Sequence, residues 1–396
     1  MLLRELEPER YWSFPANYSQ ERRTLELDKM IISGNYSYQL KTDGNYSAFI
    51  YDFDNDTRLI TRGISKTTNE YGDISDKVFF YQALTRAFTK PTRIMGEIYY
   101  DGGIDRDVGA ILRAKGTKAK SIQSQSYYEE CMHSGQKFTA KDKRDIENNK
   151  FFNKPLKLRI FDVWWYDGED LTHTPWIERQ KYVKLAAERI NNPLVSYVPY
   201  YPMDNNFYNN LNDIFAAGGE GVVCYENNGL PEPGKRTAHK TLKVKQELEH
   251  LIDCFIIDTE PATKTYTGKD LGNWNLWYNT RTGEKLEGHY FEAYQLGEPY
   301  EPITKNFYYD WPGAIIVGVY DKNKNIIPLC KVAGLTEDFK ADLRDNFSEW
   351  LYCPVTIGGM MLSQVNNEIS VRHPYLKSIR KNDIDINDCT LTKILA

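Results

Sequence analysis

Lys41-Thr42-Asp43-Gly44 sets an amine and a carboxylate two residues apart, followed at once by a glycine. A lysine amine can attack an electrophilic phosphorus, but only in its neutral form. A free lysine, with a pKa near 10.4, is only about one part in a thousand deprotonated near pH 7.4. Cations or a metal close by shift that balance toward the amine. The same four residues also make an ordinary hairpin turn, because a glycine after an acid is what tight turns use. The company the motif keeps decides between the two readings.

That company must be carried by elements. Segments 38–40, 47–52, 93–100, 156–165 and 221–225 are rich in aromatic or β-branched residues and bounded by Gly, Asp or Asn, which predicts strands. Two helices intervene. Residues 76–88 place Phe80, Leu84 and Phe88 on one face, and 178–190 do the same with Val183, Ala187 and Ile190. This mixture predicts an α+β domain over 1–247. Lys243 and Lys245 alternate on a predicted strand, so their side chains share a side. From 248 to 396 the pattern is strand-like at 252–259, 314–320, 326–332 and 355–357. One helix stands out there, with Thr336 as cap, Glu337 and Asp338 in its first turn, and Phe339, Leu343 and Phe347 inward. Strands with a single helix predict a small β-barrel such as an OB-fold.

Along this frame come Thr61-Arg62-Gly63, Gly96-Glu97, Phe161-Asp162-Val163-Trp164, Glu220-Gly221-Val222-Val223, Lys243-Val244-Lys245, and finally Arg372-His373-Pro374 with Arg380 close behind. In this order, with Lys41-Thr42-Asp43-Gly44 ahead of them, they resemble the covalent nucleotidyltransferase superfamily of DNA ligases, RNA ligases and mRNA capping enzymes. The resemblance runs from about Gln39 to Asp383. It implies an adenylation domain followed by an OB-fold, and Lys41 as the residue that takes up AMP from ATP. Gln39, Leu40, Lys41, Arg62, Glu97, Phe161, Glu220, Lys243 and Lys245 would bind the nucleotide. Phe161 would stack the purine, Arg62 and Glu97 would meet ribose hydroxyls and phosphate, and Lys243 and Lys245 would neutralise charge on the α-phosphate. Glu220, with Glu97, would hold Mg²⁺, a hard cation that takes carboxylate and phosphate oxygens. Asp43 would assist the last step, and Arg380, with Arg372, would orient the departing pyrophosphate.

Within the superfamily, the Glu-Gly-Val-Val form, the roughly 150 residues after Lys245 and the absence of a four-cysteine zinc module resemble an ATP-dependent DNA ligase sealing nicks in duplex DNA. An RNA ligase, a capping-type enzyme, or an inactive module retaining an OB-fold for single strands are the alternatives. Three positions depart from the family pattern. Tyr46 stands where an arginine usually follows the Lys-x-Asp-Gly motif, and Gln39 stands where DNA ligases commonly carry glutamate. The last motif ends Arg380-Lys381-Asn382-Asp383 rather than Arg-x-Asp-Lys.

The formal charge of −5 speaks mildly against a nucleic-acid partner, but charge is unevenly spread. Stretches 234–246 and 112–126 carry five and four Lys or Arg with no acid. Residues 263–311 exceed what an OB-fold connection needs and are rich in aromatic residues, among them Tyr266, Trp274, Trp277, Tyr278, Tyr290, Phe291 and Tyr294. They predict either an elaborated hairpin packed on the barrel or a clamp on duplex DNA. Six cysteines, none within three residues of another, suit a reducing compartment. No segment has the ~20 apolar residues of a membrane span, and the first ten residues lack a signal-peptide core. The expectation is a cytoplasmic monomer, in a bacterium or phage-infected cell, with no membrane partner.

Overall fold

The computed structural model describes residues 7–15, 18–53, 56–64, 70–245, 251–268, 270–359, 361–365, 368–381 and 383–395. Its chain divides into two compact units, Met1–Lys245 and Gln246–Ala396.

The first unit is built on two antiparallel sheets. The smaller runs in the order Thr241–Lys245, Gly221–Glu226, Tyr36–Leu40, Tyr200–Pro202. Alternation of side chains gives it two unlike faces. Tyr38, Val222, Cys224 and Leu242 face Leu27 and Met30 of helix Gln20–Ser33 and Phe207 and Leu211 of helix Phe207–Ala216, making one apolar core. Gln39, Lys41, Val223, Tyr225, Lys243 and Lys245 therefore belong to the opposite face.

The larger sheet runs Tyr71–Asp73, Asp56–Ile64, Asn45–Phe53, Thr92–Tyr99, Lys157–Tyr166, Glu169–Asp170, with Val195–Tyr197 added in parallel to Lys157–Tyr166. One face, carrying Phe49, Leu59, Ile94 and Ile98, packs with Leu84, Val108, Ile111 and Val183 from the helices into the main core. The other carries Ala48, Ile60, Met95 and Trp164, with Tyr46 and Phe161 packed beside them. Arg62 and Glu97 follow Ile60 and Met95 by two residues, so they share this second face.

Helix Trp176–Ile190 contains the expected 178–190. The helix expected over 76–88 is shorter: Val78 is extended, and only Tyr81–Ala87 is α-helical, after a 3-10 turn at Ser75–Lys77. Phe80 and Val78 are buried from this irregular stretch without needing helical spacing. Four short helices between Asp105 and Glu147 have no counterpart in the expectations.

In the second unit, five antiparallel strands run Ile326–Val332, Ala314–Tyr320, Ile252–Glu260, Pro354–Gly358, Tyr375–Ile379. Irregular register after Ile256, Val317 and Thr356 bends them, as strands curling around a core require. Cys254, Ile256, Ile315, Val317, Val355 and Ile357 fill that core together with Phe339 and Leu343 of helix Glu337–Trp350. Among the described residues the strand path is open, its two edge strands not paired to each other. Thr336 caps the helix by accepting from the Phe339 amide, as its sequence predicts. Residues 263–311 form more than a hairpin: a separate sheet of Lys285–Glu287, Leu276–Asn279 and Tyr300–Pro302 around the fully buried Trp277. Lys305 ties this sheet's flank to Glu337 at 2.7 Å. No helix among the described residues is long and apolar enough to cross a membrane.

Candidate active site

The facing sides of the two sheets in the first unit line one cavity of about 1120 Å³. Lys41, Lys243 and Lys245 come from the small sheet, and Tyr46, Arg62 and Glu97 from the large one. Two glycines make the geometry possible. A Cβ on Gly44 would lie 2.2 Å from the Ile98 carbonyl oxygen, so only glycine lets the chain pass from Lys41 into the large sheet there. At Gly221, φ is +134° and a Cβ would lie 2.1 Å from the Val244 oxygen, which fixes Glu220 at the mouth of its strand.

At the centre, Lys41 Nζ donates to Glu220 Oε2 at 2.6 Å, and Lys245 Nζ sits 2.6 Å from the other oxygen, Oε1. Glu220 is 8% exposed, so this carboxylate is shielded from water and shared by two ammonium groups. Lys243 lies on the same side, its pKa lowered first by burial and then by Lys245, Lys41, Arg236 and Arg62. Burial pushes the Glu97 carboxyl up to about 8. Lys41 opposes that shift, while Glu220 and Asp43 add to it. Eight basic against four acidic side chains line the cavity of a chain whose net charge is −5. Such a cavity suits an anion with several charges.

Gln39 is 1% exposed. Its Nε2 faces three acceptors, Gln180 Oε1 at 2.9 Å, the Val198 oxygen at 3.2 Å and the Phe161 oxygen at 3.3 Å. Two of these are backbone carbonyls, which settles which end of the amide is nitrogen. Its Oε1 is buried and accepts no hydrogen bond from the protein, so it suits a ligand N–H such as the adenine amino group. Phe161 lies 6.1 Å from Tyr46, centroid to centroid. The strand carrying it is held by the next residue. Asp162 takes a two-pronged ion pair from Arg179, at 2.9 and 2.8 Å, and accepts from Trp164 Nε1 at 3.0 Å.

Not every expected residue lines the cavity: Gln39, Leu40, Asp43, Phe161 and Glu220 are not among its lining residues. Leu40 follows Tyr38 by two residues, so its side chain lies on the other face of the sheet. Asp43 accepts from the Asp105 amide at 3.2 Å, anchoring helix Asp105–Leu112 to the motif loop. Arg380 belongs to the second unit, where it donates to Asp383 at 2.7 Å and Thr356 at 3.2 Å. The side chain of Arg372, and Asn382, lie outside the described residues. Of the two basic stretches, 234–246 contributes Arg236, Lys243 and Lys245 to the cavity and 112–126 contributes Arg113, while Lys118 of the second is paired with Asp142 and Asp145.

The sequence reading missed one wall. Residues around Trp12 run parallel to Thr241–Lys245, with the Trp12 amide donating to the Thr241 oxygen at 2.7 Å and the Lys243 amide to Trp12 at 3.1 Å. This bridged segment brings Glu9 and Tyr11 to the cavity. Burial raises Glu9 to about 7. The alternation of Glu9 and Tyr11 against Trp12 was the available signal, but so short a stretch does not mark a strand.

For a divalent cation, Glu97 and Glu220 offer oxygen ligands only, the set a Mg²⁺ uses when phosphates complete its shell. Among the described residues no three His, Cys, Asp or Glu side chains gather as a self-sufficient metal cage.

A DNA ligase of Thermococcus fumicolans is 35% identical over 109 residues, 27% of this chain and 19% of that protein. A DNA ligase of Vaccinia virus (strain Ankara) is 30% identical over 102 residues, 26% of this chain and 18% of that protein. The chain thus matches less than a fifth of the length of either relative. Among solved structures, a Lig E DNA ligase aligns over 94% of this chain and 99% of its own at a TM-score of 0.50 and 15% identity. One described as Pmar-Lig_PreS3 aligns over 90% and 66% at 0.52, also at 15% identity. At that identity the likeness speaks for the fold. The family model for the ATP dependent DNA ligase domain matches residues 23–245, more than half of the chain and nearly all of its first unit. The chain belongs to the ATP-dependent DNA ligase family.

Proposed function

We propose that this chain seals nicks in duplex DNA, joining a 5′-phosphate to a 3′-hydroxyl by way of AMP carried on Lys41. The observation that carries the reading is Lys41 Nζ, 2.6 Å from Glu220 in a cavity rich in cations. Attack needs the nitrogen lone pair, and Glu220 is within reach to take the proton. The amine then forms a bond to the α-phosphorus of ATP as the bond to the bridging oxygen breaks and pyrophosphate leaves. Lys243 and Lys245, on the same side of their strand, meet the charge that develops on the phosphoryl oxygens. Next, an oxygen of the 5′-phosphate attacks the same phosphorus, the N–P bond breaks, and Lys41 is restored. Finally the 3′-hydroxyl attacks the activated 5′-phosphate, loses its proton, and AMP departs.

Adenine fits the buried Gln39 Oε1 through its amino group, with Phe161 as the stacking face. Arg62 and Glu97 flank the ribose and phosphates. Mg²⁺, held by Glu97 and Glu220 with phosphate oxygens, would supply charge neutralisation. Asp43 would position the last step. Arg380 would meet the departing pyrophosphate with its bond to Asp383 opened. The protein would act as a monomer in the cytoplasm.

The test is Lys41→Ala incubated with labelled ATP and Mg²⁺. The wild-type chain should acquire an acid-stable AMP adduct and the variant none. Labelling of the variant would end the reading. A nick assay with DNA and RNA strands in parallel then checks the polymer: faster sealing of RNA would replace DNA as the substrate.

A further inference from the structure

Helix Asp105–Leu112 lies at the outer rim of the cavity and is bound to the Lys41 loop at two points. The Asp105 amide donates to Asp43 Oδ1 at 3.2 Å, and Asn45 Nδ2 donates to the Asp105 oxygen at 2.7 Å. The rim therefore keeps register with the proposed nucleophile.

Arg106, Gly109 and Arg113 recur three and four residues apart, which on a helix is one stripe, and all three line the cavity. Arg113 is the C-cap and keeps helical backbone angles, so the stripe is unbroken. Gly109 is buried, and a Cβ on it would lie 3.3 Å from Arg113 Nη1 and 3.5 Å from Asn45 Oδ1. The missing side chain leaves a shallow trough along which the Arg113 guanidinium lies. Both arginines are exposed. Of the two acids on this helix, Asp107 is engaged by Lys150 at 3.0 Å, and Asp105 lines the cavity beside Arg106.

Two guanidinium groups on an exposed stripe fit phosphate oxygens. Seven residues of helix rise about 10 Å, so the two guanidinium groups can be set apart by more than one phosphate of a strand, each of which advances roughly 3.4 Å along the duplex axis. The cations best placed for a nucleotide, Lys243 and Lys245, lie inside the cavity beside Lys41. The rim is where a longer polyanion would leave it. We propose that Arg106 and Arg113 hold two backbone phosphates of the DNA strand whose end reaches Lys41. This rests on the nick-sealing reading and adds the surface that aligns the strand.

The test uses the full chain with Arg106→Gln and Arg113→Gln together, and a second variant with lysine at both positions. Binding of a nicked duplex is measured across a salt series, and AMP loading is measured without DNA. For the glutamine variant, the log–log salt dependence should become shallower by about two, at roughly 0.9 for each phosphate no longer neutralised, while AMP loading is retained. The lysine variant should restore the slope, since it keeps the charge. An unchanged slope in the glutamine variant would overturn the proposal. So would a fall in AMP loading as severe as the fall in nick binding, which would assign the arginines to ATP. Failure of the wild-type chain to bind any nick would instead remove the underlying reading.

Discussion

Arg179 grips Asp162 with two nearly parallel hydrogen bonds, 2.9 Å to Oδ1 and 2.8 Å to Oδ2, deep between the strand that carries Phe161 and helix Trp176–Ile190. The same guanidinium donates to the Thr174 oxygen at 2.7 Å and the Gly229 oxygen at 3.3 Å. One side chain thus fastens the large sheet, the helix and the loop after Gly221–Glu226. Removing a partner leaves a buried charge uncompensated, at about 3–5 kcal/mol. Arg179→Ala should lower Tm by on the order of 10 °C, at roughly 2–4 °C per kcal/mol for a unit this size. Exposed Glu178→Ala is the control. Equal melting of the two variants in calorimetry would mean the pair holds nothing.

Gln39 should select the base. Its free Oε1 meets a donor in adenine but the acceptor O6 in guanine at the corresponding place. ATP should load Lys41 far better than GTP. Gln39→Ala should reduce loading from ATP by about 5- to 150-fold, the range for removal of a buried hydrogen bond. Comparable loading by GTP in the wild-type chain would refute this role and favour capping chemistry.

Glu97 makes the stability of the protein pH-dependent. Its carboxyl is raised to about 8, chiefly by burial. The neutral form is therefore favoured by the fold. Its share of stability is fully present below the ordinary carboxylate range and is lost as pH rises through about 8. Glu97→Gln keeps the shape without the charge, so its Tm should fall less than that of the wild type between about pH 5 and 9. Parallel Tm profiles would show that Glu97 ionises freely. The same variant should need more Mg²⁺ for AMP loading.

Arg380 separates the steps of the proposed reaction. It is held by Asp383 and Thr356 within the second unit. If its task is the departing pyrophosphate, Arg380→Ala should lose most AMP loading from ATP. It should retain much more sealing of a nick that already carries 5′-AMP, because no pyrophosphate remains at that stage. Equal losses in both assays would reject the assignment.

Several features were decided by the sequence. The strand residues of the first unit were legible because alternation along a short segment is a local property. Lys243 and Lys245 had to share a face with each other for the same reason, whatever the sheet did next. The cap at Thr336 was equally local. Gly44 and Gly221 were legible as motif letters, though not their cause, which is the approach of Ile98 and Val244 from strands distant in the chain. Tertiary structure alone decided the rest. It put Glu220 between Lys41 and Lys245, emptied the Gln39 oxygen of partners by turning its nitrogen toward Val198 and Phe161, and turned Leu40 to the far face. It also brought Glu9, Tyr11, Arg106 and Arg113 to the same cavity. Local spacing fixes which side of its own element a residue takes. Which sides meet depends on how distant elements bury their apolar faces, and that is settled only when the whole core is packed.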